Sequence, residues 1–261
     1  MPVVMGQEWT FNTQAELYEK MRPGYPKALY DDLFHLAPID CSSTVVEIGI
    51  GGGQATKPVL DTGCTLTAIE YGDRFAELCR AKFRQYPSFS VINARFEDCP
   101  WESQTCDLIF SASAFHWIPE EIGYAKVFDM LKSGGVFARF ANHPYKDKGR
   151  EQLHQDIQKV YAVYMPGSKP PAAEYSEAQA QVRAEIALKY GFTSISWKLY
   201  HRTRTFTAQE YALLLGTYSD HIAIEENTRK KFFSEIETVI NDHGGELTLY
   251  DTIDLQLAQK P

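Results

Sequence analysis

An α/β architecture, with a mostly parallel sheet and helices on both faces, is the fold class that this 261-residue sequence predicts. Three observations predict it. Short β-branched runs alternate with helical patterns through the first half of the chain, and repeated β-α-β units of that kind close into a parallel sheet. Hydrophobic residues make up 44% of the sequence, enough to bury a sizeable core rather than leave the chain disordered. The first strand pattern also runs straight into a cluster of glycines that opens a helix.

Taken in order, Thr13-x-x-Glu16 is a capping-box pattern opening a short helix that must stop near Pro23. Pro26 sits in the first turn of the next helix, with Leu29, Leu33 and Leu36 on one face. Thr44 to Ile48 (TVVEI) suits a buried strand. A helix from about Gln54 to Leu60 and a strand from Thr65 to Glu70 follow. Asp73 caps a helix carrying Phe75, Leu78, Cys79 and Phe83 at helical spacing. Strands are predicted at Phe89–Ala94 and Asp107–Ala112. Glu120 to Leu131 is a helix with Tyr124, Val127, Phe128 and Leu131 on one face; Ser133-Gly134-Gly135 stops it, and Gly135 to Ala141 is a fifth strand.

The second half breaks this rhythm. Leu153, Ile157, Val160, Tyr161 and Tyr164 mark an amphipathic helix, and residues 165–171 (MPGSKPP) are the clearest linker. A weaker helical pattern spans Glu174 to Tyr190 and ends at Gly191. Strand patterns return at Ser194–Thr205 and Glu246–Gln259, with a helix carrying Phe232, Phe233, Ile236, Val239 and Ile240 between them. The expected organisation is a core over 1–142 with an N-terminal lid, a helical cap insertion over 143–191, and completion of the sheet by 192–261.

Composition excludes several function classes. Acidic residues outnumber basic ones 34 to 26, a formal charge of −8, whereas a phosphate-backbone binder is normally basic, so nucleic acid is an unlikely partner. No run of 18 apolar residues and no charged n-region before an apolar stretch occurs, so neither a membrane-spanning helix nor a secretion signal is expected. The five cysteines have irregular spacing and no CxxC pair, which predicts reduced thiols in a cytoplasmic protein and no metal site.

The strongest signal is Glu47-Ile48-Gly49-Ile50-Gly51-Gly52-Gly53-Gln54 between a predicted strand and a predicted helix. Glycines here let the backbone approach a ligand, and the helix start offers unpaired N–H groups. Glu70 ends the next strand, where a carboxylate can accept both hydroxyls of a ribose. The G-x-G-x-x-G pattern of a nicotinamide or flavin enzyme fails in both frames, because its third position is Gln54 or Thr56. An acid inside the motif would repel a pyrophosphate but suits a ligand with an ammonium or sulfonium group. No Gly-Lys-Ser/Thr follows, so it is not a phosphate loop.

This segment resembles motif I of the class I S-adenosylmethionine-dependent methyltransferases, whose core is Rossmann-like with seven strands. Phe96-Glu97-Asp98, Asp107-Leu108-Ile109-Phe110-Ser111 and Ala114-Phe115-His116-Trp117-Ile118 resemble later motifs of the small-molecule branch called methyltransferase type 11, as does Leu131-Lys132-Ser133-Gly134-Gly135. Tyr18-x-x-x-Arg22-Pro23-x-Tyr25-Pro26 resembles an N-terminal signature of one subgroup. The resemblance implies S-adenosylmethionine as cofactor. It implies that Gly49, Gly51 and Gly53 line the methionine part, with Glu47 near its amino group and Ser111 facing its amino acid end. Glu70 would hold the ribose, Tyr71 would pack by the adenine, and Phe96 and Glu97 would approach the adenine edge. Tyr18 and Arg22 would close over the cofactor, Arg22 pairing with its carboxylate.

Methyl transfer from a sulfonium needs mainly alignment, and a base only for an acceptor such as an alcohol or phenol. His116 is the candidate catalytic base, because it follows strand four at the carboxyl end of the sheet; packing in an aromatic loop with Phe115 and Trp117 is the favoured alternative. Trp9, Phe11 and Met21 are candidate lid residues, and Arg202 and Arg204 on a late strand are read as solvent-exposed. The expected activity is O- or N-methyl transfer to a small molecule, carboxylic acids being one class that the N-terminal signature implies. The alternatives are an NAD(P)-dependent oxidoreductase and a nucleic-acid methyltransferase of the same fold. The latter lacks both an Asp/Asn-Pro-Pro-aromatic tetrapeptide and a Pro-Cys nucleophile.

Overall fold

The structure, a computed structural model, describes residues 14–146, 149–168 and 172–261. The lid candidates Trp9 and Phe11, and the capping residue Thr13, lie outside the described residues. Seven strands form one sheet in the order β3-β2-β1-β4-β5-β7-β6. They are β1 (Thr44–Ile48), β2 (Thr65–Glu70), β3 (Phe89–Asn93), β4 (Cys106–Ala112), β5 (Leu131–Lys146), β6 (Thr193–Thr207) and β7 (Glu246–Gln259). Strands β1 to β5 pair in parallel; β7 runs antiparallel between β5 and β6.

The helices follow the apolar patterns. They are α1 (Ala15–Met21), α2 (Lys27–Leu36), α3 (Thr56–Leu60), α4 (Asp73–Lys82), α5 (Glu120–Met130), α6 (Glu151–Tyr164), α7 (Glu177–Glu185), α8 (Ala208–Leu215), α9 (Ser219–Ile222) and α10 (Glu226–Asp242). Asp73 is the first residue of α4 rather than its cap, which is Gly72.

Side chains alternate across the parallel strands and bury both faces. Val45, Leu66, Leu108, Phe110, Ala138 and Phe140 pack with Leu29, Tyr30 and Leu33 of α2 and Ala76 and Cys79 of α4. On the other face Val46, Ile48, Ile109 and Phe137 pack with Tyr124, Val127 and Met130 of α5.

A third core lies beyond the sheet, where α6, α8 and α10 pack through Leu153, Ile157, Leu214, Leu215, Phe232, Ile236 and Ile240. This helical module is assembled from both sides of β6, so it does not follow the expected 143–191 boundary. Within that span α7 lies instead against β6 and β7. No helix among the described residues is long and apolar enough to cross a membrane, and no cluster of metal-ligating side chains occurs among them.

Candidate functional site

A cavity of about 380 Å3 opens over the carboxyl ends of the strands. Its floor is the turn after β1. Gly49 has φ +72°, and a Cβ there would collide with that of Ala114 in the loop after β4, so only glycine lets the two loops meet. Gly49, Ile50, Gly51, Gln54 and Ala55 reach the cavity wall. Gln54 lays its side chain against Gly51 and Gly52, and its buried Nε2 has no acceptor among the described residues. Gly53, expected beside the cofactor, does not reach the wall: its missing Cβ makes room for the ring of Phe83, 2.6 Å from where that Cβ would stand.

Glu70 lines the cavity while almost fully buried. Its Oε2 accepts from the Gly51 N–H at 2.9 Å and its Oε1 from the Gly72 N–H at 2.8 Å. Burial raises the pKa of this carboxyl, and the two amides oppose the rise. The side chain therefore ties the glycine turn to the end of β2 and still presents oxygen lone pairs to the cavity.

Glu47 is elsewhere. It shares strand parity with Val45, so it faces α3, where Oε2 accepts from Thr56 Oγ1 at 2.8 Å, and it is not part of the cavity wall. Burial, followed by the nearby charge of Glu70, pushes its pKa up to about 8; its Oε1 has no partner among the described residues. Ser111 is also off the wall, because its hydroxyl donates to the Ile48 carbonyl at 2.9 Å. Ser113, two residues on, reaches the cavity with φ +55° and hydrogen-bonds the Tyr25 hydroxyl at 2.9 Å.

Tyr71, Phe96 and Glu97 line the cavity. Lys126 of α5 holds the turn that carries the last two, donating to the carbonyls of Phe96, Glu97 and Cys99. His116 and Trp117 stand on the 3-10 turn Phe115–Trp117 and reach the cavity. Solvent touches His116, yet the surrounding protein, and then the positive charges of Arg183 and Arg139, lower its pKa to about 4. The imidazole is neutral at pH 7 and is a weak base.

The roof is built from α1 and from the turn between α8 and α9. Tyr18 and Arg22 line it from one side, Leu214 and Tyr218 from the other. Arg22 joins the two, donating from Nε to Thr217 Oγ1 and from Nη2 to the Thr217 carbonyl, each at 3.0 Å. Its guanidinium also lies over the ring of Tyr218, 4.2 Å from the centroid. No described residue of 149–191 reaches the cavity, so the cover comes from the N-terminal helix and the module after β6. The sequence reading missed Leu214, Thr217 and Tyr218. The signal was present as Thr207-x-x-Glu210, a complete capping box that opens α8.

Arg202 and Arg204, read as solvent-exposed, point inward. Both pair with Asp251 of β7, which is wholly buried, and Arg204 lines the cavity. Edge-strand alternation alone does not reveal a carboxylate that lies on the neighbouring strand but far along the chain.

Comparisons with known proteins agree with this geometry. Residues 46–139 match the family model described as a methyltransferase domain. An uncharacterized methyltransferase of Schizosaccharomyces pombe is 22% identical over 88% of this chain and 87% of its own length. One of Mycobacterium bovis is 25% identical over 90% and 86%. Among solved structures, a phosphoethanolamine N-methyltransferase of Haemonchus contortus in complex with S-adenosyl-L-methionine shares the fold, with a TM-score of 0.55 and 15% identity over 96% of this chain and 57% of that one. These likenesses support a methyltransferase that uses S-adenosylmethionine, with its methyltransferase domain at residues 46–139.

Proposed function

We propose that the cavity binds S-adenosylmethionine over β1 and β2 and that the protein transfers its methyl group to oxygen or nitrogen of a small molecule. The observation that carries this reading is one continuous cavity that joins the glycine turn and Glu70 to a second half walled by Tyr25, Ser113, His116 and Arg204. Its volume of about 380 Å3 falls in the range of small-molecule sites.

The residues present fit the cofactor. Gly49 and Gly51 bring bare backbone to the cavity wall, and Gln54, whose buried Nε2 is without an acceptor among the described residues, stands beside them on that wall. Glu70 keeps lone pairs for the ribose, Tyr71 and Phe96 frame the adenine, and Arg22 caps the carboxylate end. The bound cofactor supplies a methyl group already activated by a sulfonium. What the chain must add is alignment of the acceptor and exclusion of water. Neutral His116 orients the acceptor by hydrogen bonding rather than by taking up a full proton. Burial of four of the five unpaired thiols suits a reducing, cytoplasmic setting.

Calorimetric titration with S-adenosylhomocysteine tests the reading. Saturable binding that weakens in Glu70→Ala is expected. Binding of NADH in place of S-adenosylhomocysteine would overturn it.

A further inference from the structure

The only carboxylates among the described lining residues of the cavity are Glu70 and Glu97, both at the β2–β3 side, where Arg95 pairs with Glu97 at 3.6 Å. The opposite side, toward the sheet edge, carries Arg204 of β6.

Arg204 belongs to a built cluster. Asp251 accepts from Arg204 Nε at 2.5 Å and Nη2 at 2.9 Å, and from Arg202 Nε and Nη2 at 3.3 Å each. Asn142 Nδ2 donates to the same carboxylate at 3.0 Å. The other donors of Arg202 are spent on the Gly24 carbonyl and Asn142 Oδ1, each at 2.7 Å. Two guanidinium groups thus share one buried carboxylate, which leaves one positive charge in excess. The two guanidinium groups carry that excess together, and Arg204 is the one that borders the cavity: its Nη1 has no hydrogen bond to any described residue and its side chain is only 14% exposed. A net positive charge withdrawn this far from water is costly unless a further anion completes the cluster.

We propose that Arg204 is the anchor for an anionic group, carboxylate or phosphate, on the methyl acceptor. Asp251 and Arg202 are positioning residues: bidentate pairing with Asp251 fixes the plane of the guanidinium and turns its free edge to the cavity. The anchored group is not the atom methylated, because a guanidinium bonded to the attacking lone pair would withhold it from the methyl. The acceptor therefore carries a nucleophilic oxygen or nitrogen and, separately, an anion. This inference rests on the methyltransferase reading above.

The test uses the full chain saturated with S-adenosylhomocysteine. Succinate and glycerol 3-phosphate are titrated against it beside their neutral counterparts, succinamide and glycerol. At least one anion should bind saturably, at least about tenfold tighter than its neutral counterpart. Which anion binds separates a carboxylate anchor from a phosphate one. Arg204→Gln should lose about tenfold or more of that affinity while S-adenosylhomocysteine binding stays within about threefold, and Arg204→Lys should recover part of the loss. Equal binding of charged and neutral probes, no anion binding, or an unchanged Arg204→Gln overturns the inference and leaves the cofactor reading standing. Absence of S-adenosylhomocysteine binding overturns both.

Discussion

Replacing Glu70 with alanine should damage the fold as well as the cofactor site, and the size of the damage follows from two hydrogen bonds. Each carboxylate oxygen receives one backbone amide, from Gly51 at 2.9 Å and from Gly72 at 2.8 Å. Alanine leaves both donors without an acceptor at a position that is 8% exposed. An unsatisfied buried donor costs about 1–3 kcal/mol, and water entering from the adjoining cavity holds each near the lower end, so the sum is about 2–3 kcal/mol. For a chain of this size that lowers the melting temperature by about 4–12 °C. Calorimetric melting without cofactor measures it, with Glu97→Ala as control. Glu97 lines the same cavity but makes only a 3.6 Å ion pair with Arg95, and its loss should cost less than about 1 kcal/mol. Equal melting of the two variants would show that Glu70 does not tie the turn to β2, and the reasoning would fail.

Three further outcomes are expected. Arg22→Ala should weaken S-adenosylhomocysteine binding by about tenfold or more and speed proteolysis within α1, because it cuts both bonds to Thr217; Arg22→Lys should not rescue it, and wild-type behaviour of the alanine variant would refute the bridge. Gly53→Ala should cost about 2–5 kcal/mol in urea unfolding, since φ is +73° and the new methyl meets Phe83, whereas Gly134→Ala at φ +80° in open space should cost only about 1–2 kcal/mol; similar losses would remove the packing argument. Glu47, with a pKa raised to about 8, holds a proton in the folded chain that the unfolded chain releases near pH 4.5. Its contribution to stability is whole below that pH and fades as pH climbs to 8, by at most about 5 kcal/mol; Glu47→Gln should flatten this slope in denaturant melts from pH 5 to 8, and parallel slopes would contradict it.

Local patterns carried most of the fold. β-branched runs, helical spacing and the glycine turn located β1 to β5 and the helices between them, and the failed third glycine set this turn apart from the oxidoreductase pattern, in keeping with the methyltransferase-domain match over residues 46–139. Placement of side chains was less legible. Strand parity would have sent Glu47 toward α3, with Val45, rather than toward a ligand. Ser111 spends its hydroxyl on a strand neighbour 63 residues earlier, and Arg204 pairs with a carboxylate 47 residues later. Such partners are set by the order of strands in the sheet, which a one-dimensional pattern does not display. The roof is a similar case: Arg22 and Thr217 are 195 residues apart, and nothing near either announces the other.

The place of β7 has a consequence for how the chain is made. Of the seven strands it is the last to leave the ribosome, yet it lies inside the sheet, between β5 and β6. Until residues 246–259 are synthesised, β5 and β6 each offer a bare hydrogen-bonding edge, the template on which nascent chains pair wrongly and clump. A truncation just before Glu246 would therefore yield two sticky margins where the finished protein has a closed seam, and insolubility would precede any loss of activity.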